Sequence, residues 1–394
     1  MTDDTLYKWV VLAVCVITFM LVAASQLASV SPTIPVFMEV FNISATVAGL
    51  LTSMWALARV VMALPAGGIA TRFGSRLTYI FGVTTSAIGW FAISLAPNYS
   101  VVLIGRFLMG LGAGTMSVAG PIIISEWFPK NRLGTAMSFW TVAMPLGILW
   151  ELPLIALMIS LWGWRRTFTL FAVLSSVMII PLAITLRREP PNPLRPPSTL
   201  GGLKFTELLS NKTYVLASLS IFFSLGMWGV YSTYIVKWCM VKGYDYITAS
   251  MLGTLFNVGC VSSQLISGYV SDKFFNGDQR PTFIFGTTLA SILSIVFAYT
   301  SQDITTTLTV LFMGVGVAPI TVAMFVIPIS MAKPELRGLA MGFTGIFIYS
   351  SYILSLLAGY VYDTYGLVMA CIATAVLGFT GMLIMLLGVR GRKT

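Results

Sequence analysis

GGIATRFGSR at residues 67–76 and GYVSDKFFNGDQR at 268–280 decide how this chain is read. Each is a short basic segment with glycines, set between long apolar runs, and the two begin 201 residues apart. A second pair recurs at nearly the same interval: PKNR at 129–132 and PELR at 334–337. Matched polar punctuation, in register through 394 residues, indicates two related halves.

The runs between these segments have the length of membrane crossings. At ~1.5 Å per residue, ~20 apolar residues cover a ~30 Å hydrocarbon core. Such runs lie at 9–30, 44–66, 77–96, 100–126, 133–160, 167–186, 213–236, 246–268, 282–300, 306–331, 338–361 and 367–388. Pro32, Pro35, Pro97, Pro129, Pro281 and Pro334 are read as lying between runs, where a proline removes no helix hydrogen bond. Residues 187–212 contain REPPNPLRPPSTLGG, too rich in proline for a packed core. The expected organisation is therefore a six-helix bundle over 1–186, a cytoplasmic linker over 187–212 and a second bundle over 213–394.

Composition agrees. The chain is 57% hydrophobic and only 9% charged, with mean hydropathy +0.90. A water-exposed surface normally needs about a quarter of residues charged. The net charge of +10 is scattered in pairs between apolar runs, not gathered on a face, which argues against nucleic acid as a partner. There is no histidine and no closely spaced cysteine pair among Cys15, Cys239, Cys260 and Cys371, so no metal or cofactor is expected. The first apolar run reads as a membrane helix, not a cleaved signal. With the N-terminus in the cytoplasm, 17 Lys and Arg fall in inside segments and 4 outside, so both termini are expected there.

Charge within a crossing is costly and is a functional candidate by default. Arg59, Arg106 and Glu151 are the three read this way. Arg59 lies ~22 Å along its run, past the midplane. It reads either as an anion-binding guanidinium or as an arginine snorkelling to headgroups. Arg106 and Glu151 fall at similar depth on neighbouring runs. They read either as a static charge pair or as a proton carrier, Glu151, tuned by Arg106. In the second half the position matching Arg59 is Cys260, and the candidates for solute contact are polar and aromatic. Trp228, Tyr231 and Tyr234 are three apart, Asn257 and Gln264 seven apart, and Tyr349 precedes Tyr352 by three, so each set shares a helix face. Gln26 on the first run is a further candidate, with interhelical hydrogen bonding as its plainer role.

Together the loop segments resemble the signature of the major facilitator superfamily, over essentially the whole chain. The pattern of glycine, acid, base, glycine and further bases appears as Gly67, Thr71, Arg72, Gly74 and Arg76. It returns as Gly268, Asp272, Lys273, Gly277 and Arg280. GRFLMGLGAG, with Arg106, Gly110, Gly112 and Gly114, and GWRRTF at 163–168 add to the likeness. Thr71 departs from it, standing where the family has an acid that braces the halves on the cytoplasmic side. The resemblance implies an all-α integral membrane protein with twelve transmembrane helices in two pseudo-symmetric bundles. It also implies alternating access at a midplane site, gating loops at the residues just named and a monomer in the plasma membrane among lipids.

The expected function is secondary transport of a small solute, an organic or inorganic anion, with proton coupling left open. A multidrug or amphiphile exporter of the same fold is the alternative, and an ion channel lies outside the class. No nucleotide-binding loop or hydrolase motif is present, so an enzyme is not expected.

Overall fold

The computed structural model describes residues 2–63, 65–128, 130–187, 210–331 and 337–389. Every regular element among them is helical. In a bilayer core, backbone polar groups have no water to bond, and a helix satisfies them within the segment.

The first crossing is broken. It consists of α1 (Thr2–Phe19), a π-helical turn (Met20–Ala24), α2 (Ser25–Ala28) and α3 (Val30–Val40). Pro32 and Pro35, expected between runs, lie inside α3. The break at Ser29 explains Pro32, which then falls in the first turn of a new helix, where a missing N–H is tolerated. There follow α4 (Ala45–Ala63), α5 (Pro65–Phe73), α6 (Ser75–Ser94), α7 (Tyr99–Trp127), α8 (Lys130–Val177) and α9 (Ile179–Thr185). Past the linker come α10 (Lys212–Val241), α11 (Tyr246–Phe274), α12 (Arg280–Tyr299), α13 (Ile304–Met331), α14 (Arg337–Ser350), a 3₁₀ turn (Ser351–Ile353) and α15 (Leu354–Gly388).

Ten stretches among the described residues are long and apolar enough to cross a membrane. Two of these are double, running over Phe139–Thr185 and Phe343–Gly388. Gly163 (φ 77°) and Gly366 (φ 78°) interrupt them in a conformation that side chains resist, giving the twelve crossings of the expected fold.

The duplication is visible in the backbone. Gly163 and Gly366 are 203 residues apart, as are the left-handed Gly74 and Gly277 of the two loop segments. Close helix approaches repeat as well. A Cβ on Gly110 would strike the Trp55 carbonyl, and a Cβ on Gly314 would strike that of Phe256. The structure thus carries the same small-residue contact between second and fourth crossings in both halves.

Packing groups Met1–Ser29 with Met54–Leu200, and Val30–Ser53 with Gly201–Thr394. Within the second unit, Tyr246 donates to the Pro32 carbonyl at 3.0 Å, and Thr52 pairs with Thr233 at 2.8 Å. Most of the linker at 187–212 lies outside the described residues.

Candidate functional site

Within the first unit, the buried polar groups form a chain from α6 to α7. Arg59 on α4 is 7% exposed. Its guanidinium stands 4.7 Å from the ring centre of Trp55, one turn earlier on the same helix. Nη2 of Arg59 donates to Ser117 Oγ on α7 at 3.0 Å, and Ser117 in turn donates to the Ala113 carbonyl. The indole N–H of Trp55 donates to Gln26 Oε1 at 2.8 Å. The Gln26 amide then donates to Ser86 Oγ on α6 at 3.0 Å. Gln26 is fully buried, and its side chain is engaged in holding α2, α4 and α6 together.

Arg106 occupies the other side of Gln26. It is 1% exposed, and its Nη1 donates to the Gln26 carbonyl at 2.6 Å while Nη2 donates to Ser29 Oγ at 3.1 Å. The break at Ser29 ends α2, so Arg106 places its cation on the carbonyl end of a helix, where the dipole favours it. The expected contact with Glu151 is absent: the structure records no ion pair between the two.

Glu151 stands apart. It is fully buried on α8, and among the described residues neither carboxyl oxygen has a hydrogen-bond partner. One turn before it, Gly147 lets α8 close on Met20 and Ala24 of the π-helical turn. A charged carboxylate so placed requires a partner that this arrangement does not supply.

In the second unit the candidates divide by burial. Trp228 is half-buried and meets Tyr352 edge-on at 5.9 Å. Tyr231 is fully buried between Trp238 and Phe256. Tyr234 stacks on Trp238 and donates to the Ala45 carbonyl at 2.7 Å. Asn257 spends its amide on the Gly253 carbonyl of its own helix, and Gln264 donates to Thr321 Oγ1 at 2.7 Å. Tyr349 is half-buried on α14, one turn before Tyr352.

The loop residues form local braces. Gly67 lies on α5, and Arg72 is exposed beside Phe73. Arg76 donates to the Ala183 carbonyl at 3.1 Å, and Ser75 donates to Glu126 Oε2 at 2.6 Å. Lys273 donates to Tyr269 at 2.9 Å. Arg280 grips Asp278 through Nε and Nη2. Burial raises the Asp278 carboxyl, but the hydrogen bonds and charge of Arg280 outweigh it and hold it below the usual range. The side chains of Thr71 and Asp272, and the surroundings of Gly268, lie outside the described residues.

Several participants were not singled out in the sequence, among them Ser29, Ser86, Ser117, Trp55, Glu126 and Asp363. Trp55 gave no signal beyond being aromatic. Glu126 did give one, since an acid in the last turn of a helix opposes the dipole and calls for a donor. Asp363, on α15, accepts from the Ala45 N–H at 3.0 Å and the Thr46 N–H at 2.7 Å. It thereby caps α4 from a distant part of the chain.

A sequence profile described as Major Facilitator Superfamily matches residues 13–355 and again 242–394. The chain belongs to that family and is a multi-pass integral membrane protein. It is 30% identical over 142 residues to the probable L-galactonate transporter of Escherichia coli (strain K12), covering 36% of this chain and 31% of that one. It is also 30% identical over 119 residues to the multidrug resistance protein Stp of Mycobacterium tuberculosis (strain CDC 1551 / Oshkosh), covering 30% of this chain and 22% of that one. The chain thus matches under a third of the length of each of these relatives. Among solved structures, an inward-facing, unoccupied bacterial homologue of the human lysosomal transporter Spinster superposes with a TM-score of 0.84. That match is at 15% identity and covers 98% of this chain and 97% of the other.

Proposed function

We propose that this protein is a gradient-driven carrier of a small anion, with Arg59 as the anion-binding group and Glu151 as the proton carrier. The observation that carries the reading is the buried Arg59 guanidinium on a membrane-crossing helix, oriented by Trp55 and Ser117. A planar guanidinium keeps its charge and matches an oxyanion with two parallel hydrogen bonds. The likeness to a probable transporter of L-galactonate, a sugar acid, supports an anionic solute. The likeness to a multidrug resistance protein supports the rival exporter reading, which the half-buried Trp228 beside the buried Tyr352 would suit. In this proposal the protein acts as a monomer in the plasma membrane, with both termini cytoplasmic and the segments 67–76 and 268–280, which are helical through Phe73 and Phe274 and not loops throughout, as gates.

The test is uptake by proteoliposomes against a panel of sugar acids, inorganic oxyanions and lipophilic cations. Arg59→Lys should weaken anion uptake and Arg59→Gln should nearly abolish it, with normal expression. Undiminished uptake by Arg59→Gln, or uptake of the cations instead, defeats the anion reading.

A further inference from the structure

We infer that the apolar groove between α5 and α6, with Arg72 beside it, is a binding site for an anionic phospholipid. One acyl chain lies along Ile69, Phe73, Leu77 and Phe81, and the phosphate meets Arg72. The inference concerns the bilayer face of the protein and stands independently of the solute it carries.

The groove follows from the local fold. α5 ends at Phe73 and α6 begins at Ser75, with Gly74 turning the chain between them at φ 85°. Ile69 and Phe73 are four residues apart on α5, and Leu77 and Phe81 four apart on α6, so each pair shares a helix face. With Thr78 they line a groove of about 310 Å³. Thr78 spends its hydroxyl on the Gly74 carbonyl at 2.8 Å, and the other four side chains are apolar. Phe73, Leu77 and Phe81 are 57%, 56% and 50% exposed. An exposed apolar patch of this kind suits hydrocarbon and offers a polar solute nothing to bond.

Arg72 supplies the polar end. It is exposed, and its guanidinium carbon stands 5.3 Å from the ring centre of Phe73, the lining residue next to the turn. Among the described residues it makes no hydrogen bond or ion pair. Glu126, the acid that reaches this turn, is buried and accepts from Ser75 at 2.6 Å. Position 71 is a threonine, so the chain has no carboxylate beside the cation to draw a choline or ethanolamine group. A zwitterionic headgroup brings its own cation to Arg72. A net anionic one brings phosphate, which a guanidinium binds through two N–H groups. The second half repeats the pairing 201 residues further on, with Lys273 at 5.7 Å from the ring of the exposed Phe274. Lys273 also donates to Tyr269 at 2.9 Å, an internal partner that Arg72 lacks among the described residues. In the proposed orientation Arg72 meets the cytoplasmic leaflet, whose negative surface potential attracts such cations.

The test uses the full-length protein in dodecyl maltoside, titrated with dioleoylphosphatidylglycerol, dioleoylphosphatidylcholine or sodium phosphate at constant ionic strength. Unfolding is followed through the buried cysteines, since a lipid that binds the folded state raises its stability. Phosphatidylglycerol should stabilise most and phosphatidylcholine less. Free phosphate should not stabilise, because it has no chain for the groove. Arg72→Gln should weaken phosphatidylglycerol binding about fivefold, the scale of one juxtamembrane cation on an anionic headgroup, and leave phosphatidylcholine unchanged. Arg166→Gln removes an exposed charge on α8, outside the groove, and should change phosphatidylglycerol binding less than about twofold. Leu77→Gln puts an amide among the lining side chains and should weaken both lipids. Phe81→Ala shortens the same wall and keeps the experiment decisive if Leu77→Gln fails to fold. Equal stabilisation by the two lipids overturns the inference, as does an Arg72-dependent response to phosphate alone. An equal loss in Arg166→Gln, or undiminished phosphatidylglycerol binding in the groove variants, overturns it too.

Discussion

Glu151→Leu should make the protein more stable and less able to use a proton gradient. Glu151 is fully buried, and among the described residues both carboxyl oxygens lack a hydrogen-bond partner. A buried polar group in that condition costs ~1–3 kcal/mol by protein mutational measure. Leucine has a similar volume and no polar atom, so the substitution removes that cost and adds apolar burial beside α2 and the π-turn. The expected gain is ~1–3 kcal/mol. Glu151→Gln leaves an unsatisfied polar group in place and should be near neutral. The four cysteines are all buried, so a thiol-reactive dye reports unfolding directly. In liposomes both variants should retain solute counterflow and lose accumulation driven by a pH gradient alone. If Glu151→Leu proves destabilising by more than ~1 kcal/mol, the carboxyl is making bonds the structure does not contain, and the cost reasoning fails. If Glu151→Gln still accumulates solute on a pH gradient, the proton role is wrong.

Asp363→Ala removes the cap of α4 and should cost ~1 kcal/mol, the usual value of a side chain bonding first-turn N–H groups. Asp363→Asn should recover about half of it, and an unchanged unfolding temperature for the alanine variant would refute the capping role. Gly110→Ala and Gly314→Ala drive a methyl into the Trp55 and Phe256 carbonyls and should each destabilise by ~1–3 kcal/mol. Gly67→Ala on α5 meets nothing within 4 Å, so as the contrasting control it should not destabilise and should gain up to ~1 kcal/mol.

The crossings were legible because the physics is coarse: ~20 apolar residues satisfy a hydrocarbon slab whatever their order. The glycines were legible for a different reason. Gly74 with Gly277 sits in register between halves, and each takes a positive φ that the backbone requires at that point. What could not be read was the partner of a buried charge. Arg106 and Glu151 share a depth, and pairing them from sequence was natural. The actual partner of Arg106 is the Gln26 carbonyl, which is available only because the first crossing breaks at Ser29. No glycine or proline between Met20 and Ser29 announces that break. Pro32 was misplaced from the same cause, since its tolerance depends on where the new helix starts, whereas Pro35 lies in the helix interior and is not explained by the break.

The break also separates the roles of two arginines that composition treats alike. Arg106 is nearly sealed and lies across the end of a helix, with one nitrogen on a carbonyl and another on Ser29. Its charge is matched by backbone dipoles that do not leave, so an anion arriving there would have to displace a capping bond and unsettle α2. Arg59 is matched differently. Its guanidinium faces the Trp55 ring and donates to the Ser117 hydroxyl. A carrier must bind its solute and then release it, which favours a site whose own partners are weak enough to coexist with the ligand. The proposed function therefore assigns the anion to Arg59, while Arg106 serves the scaffold by holding the Gln26 carbonyl and Ser29.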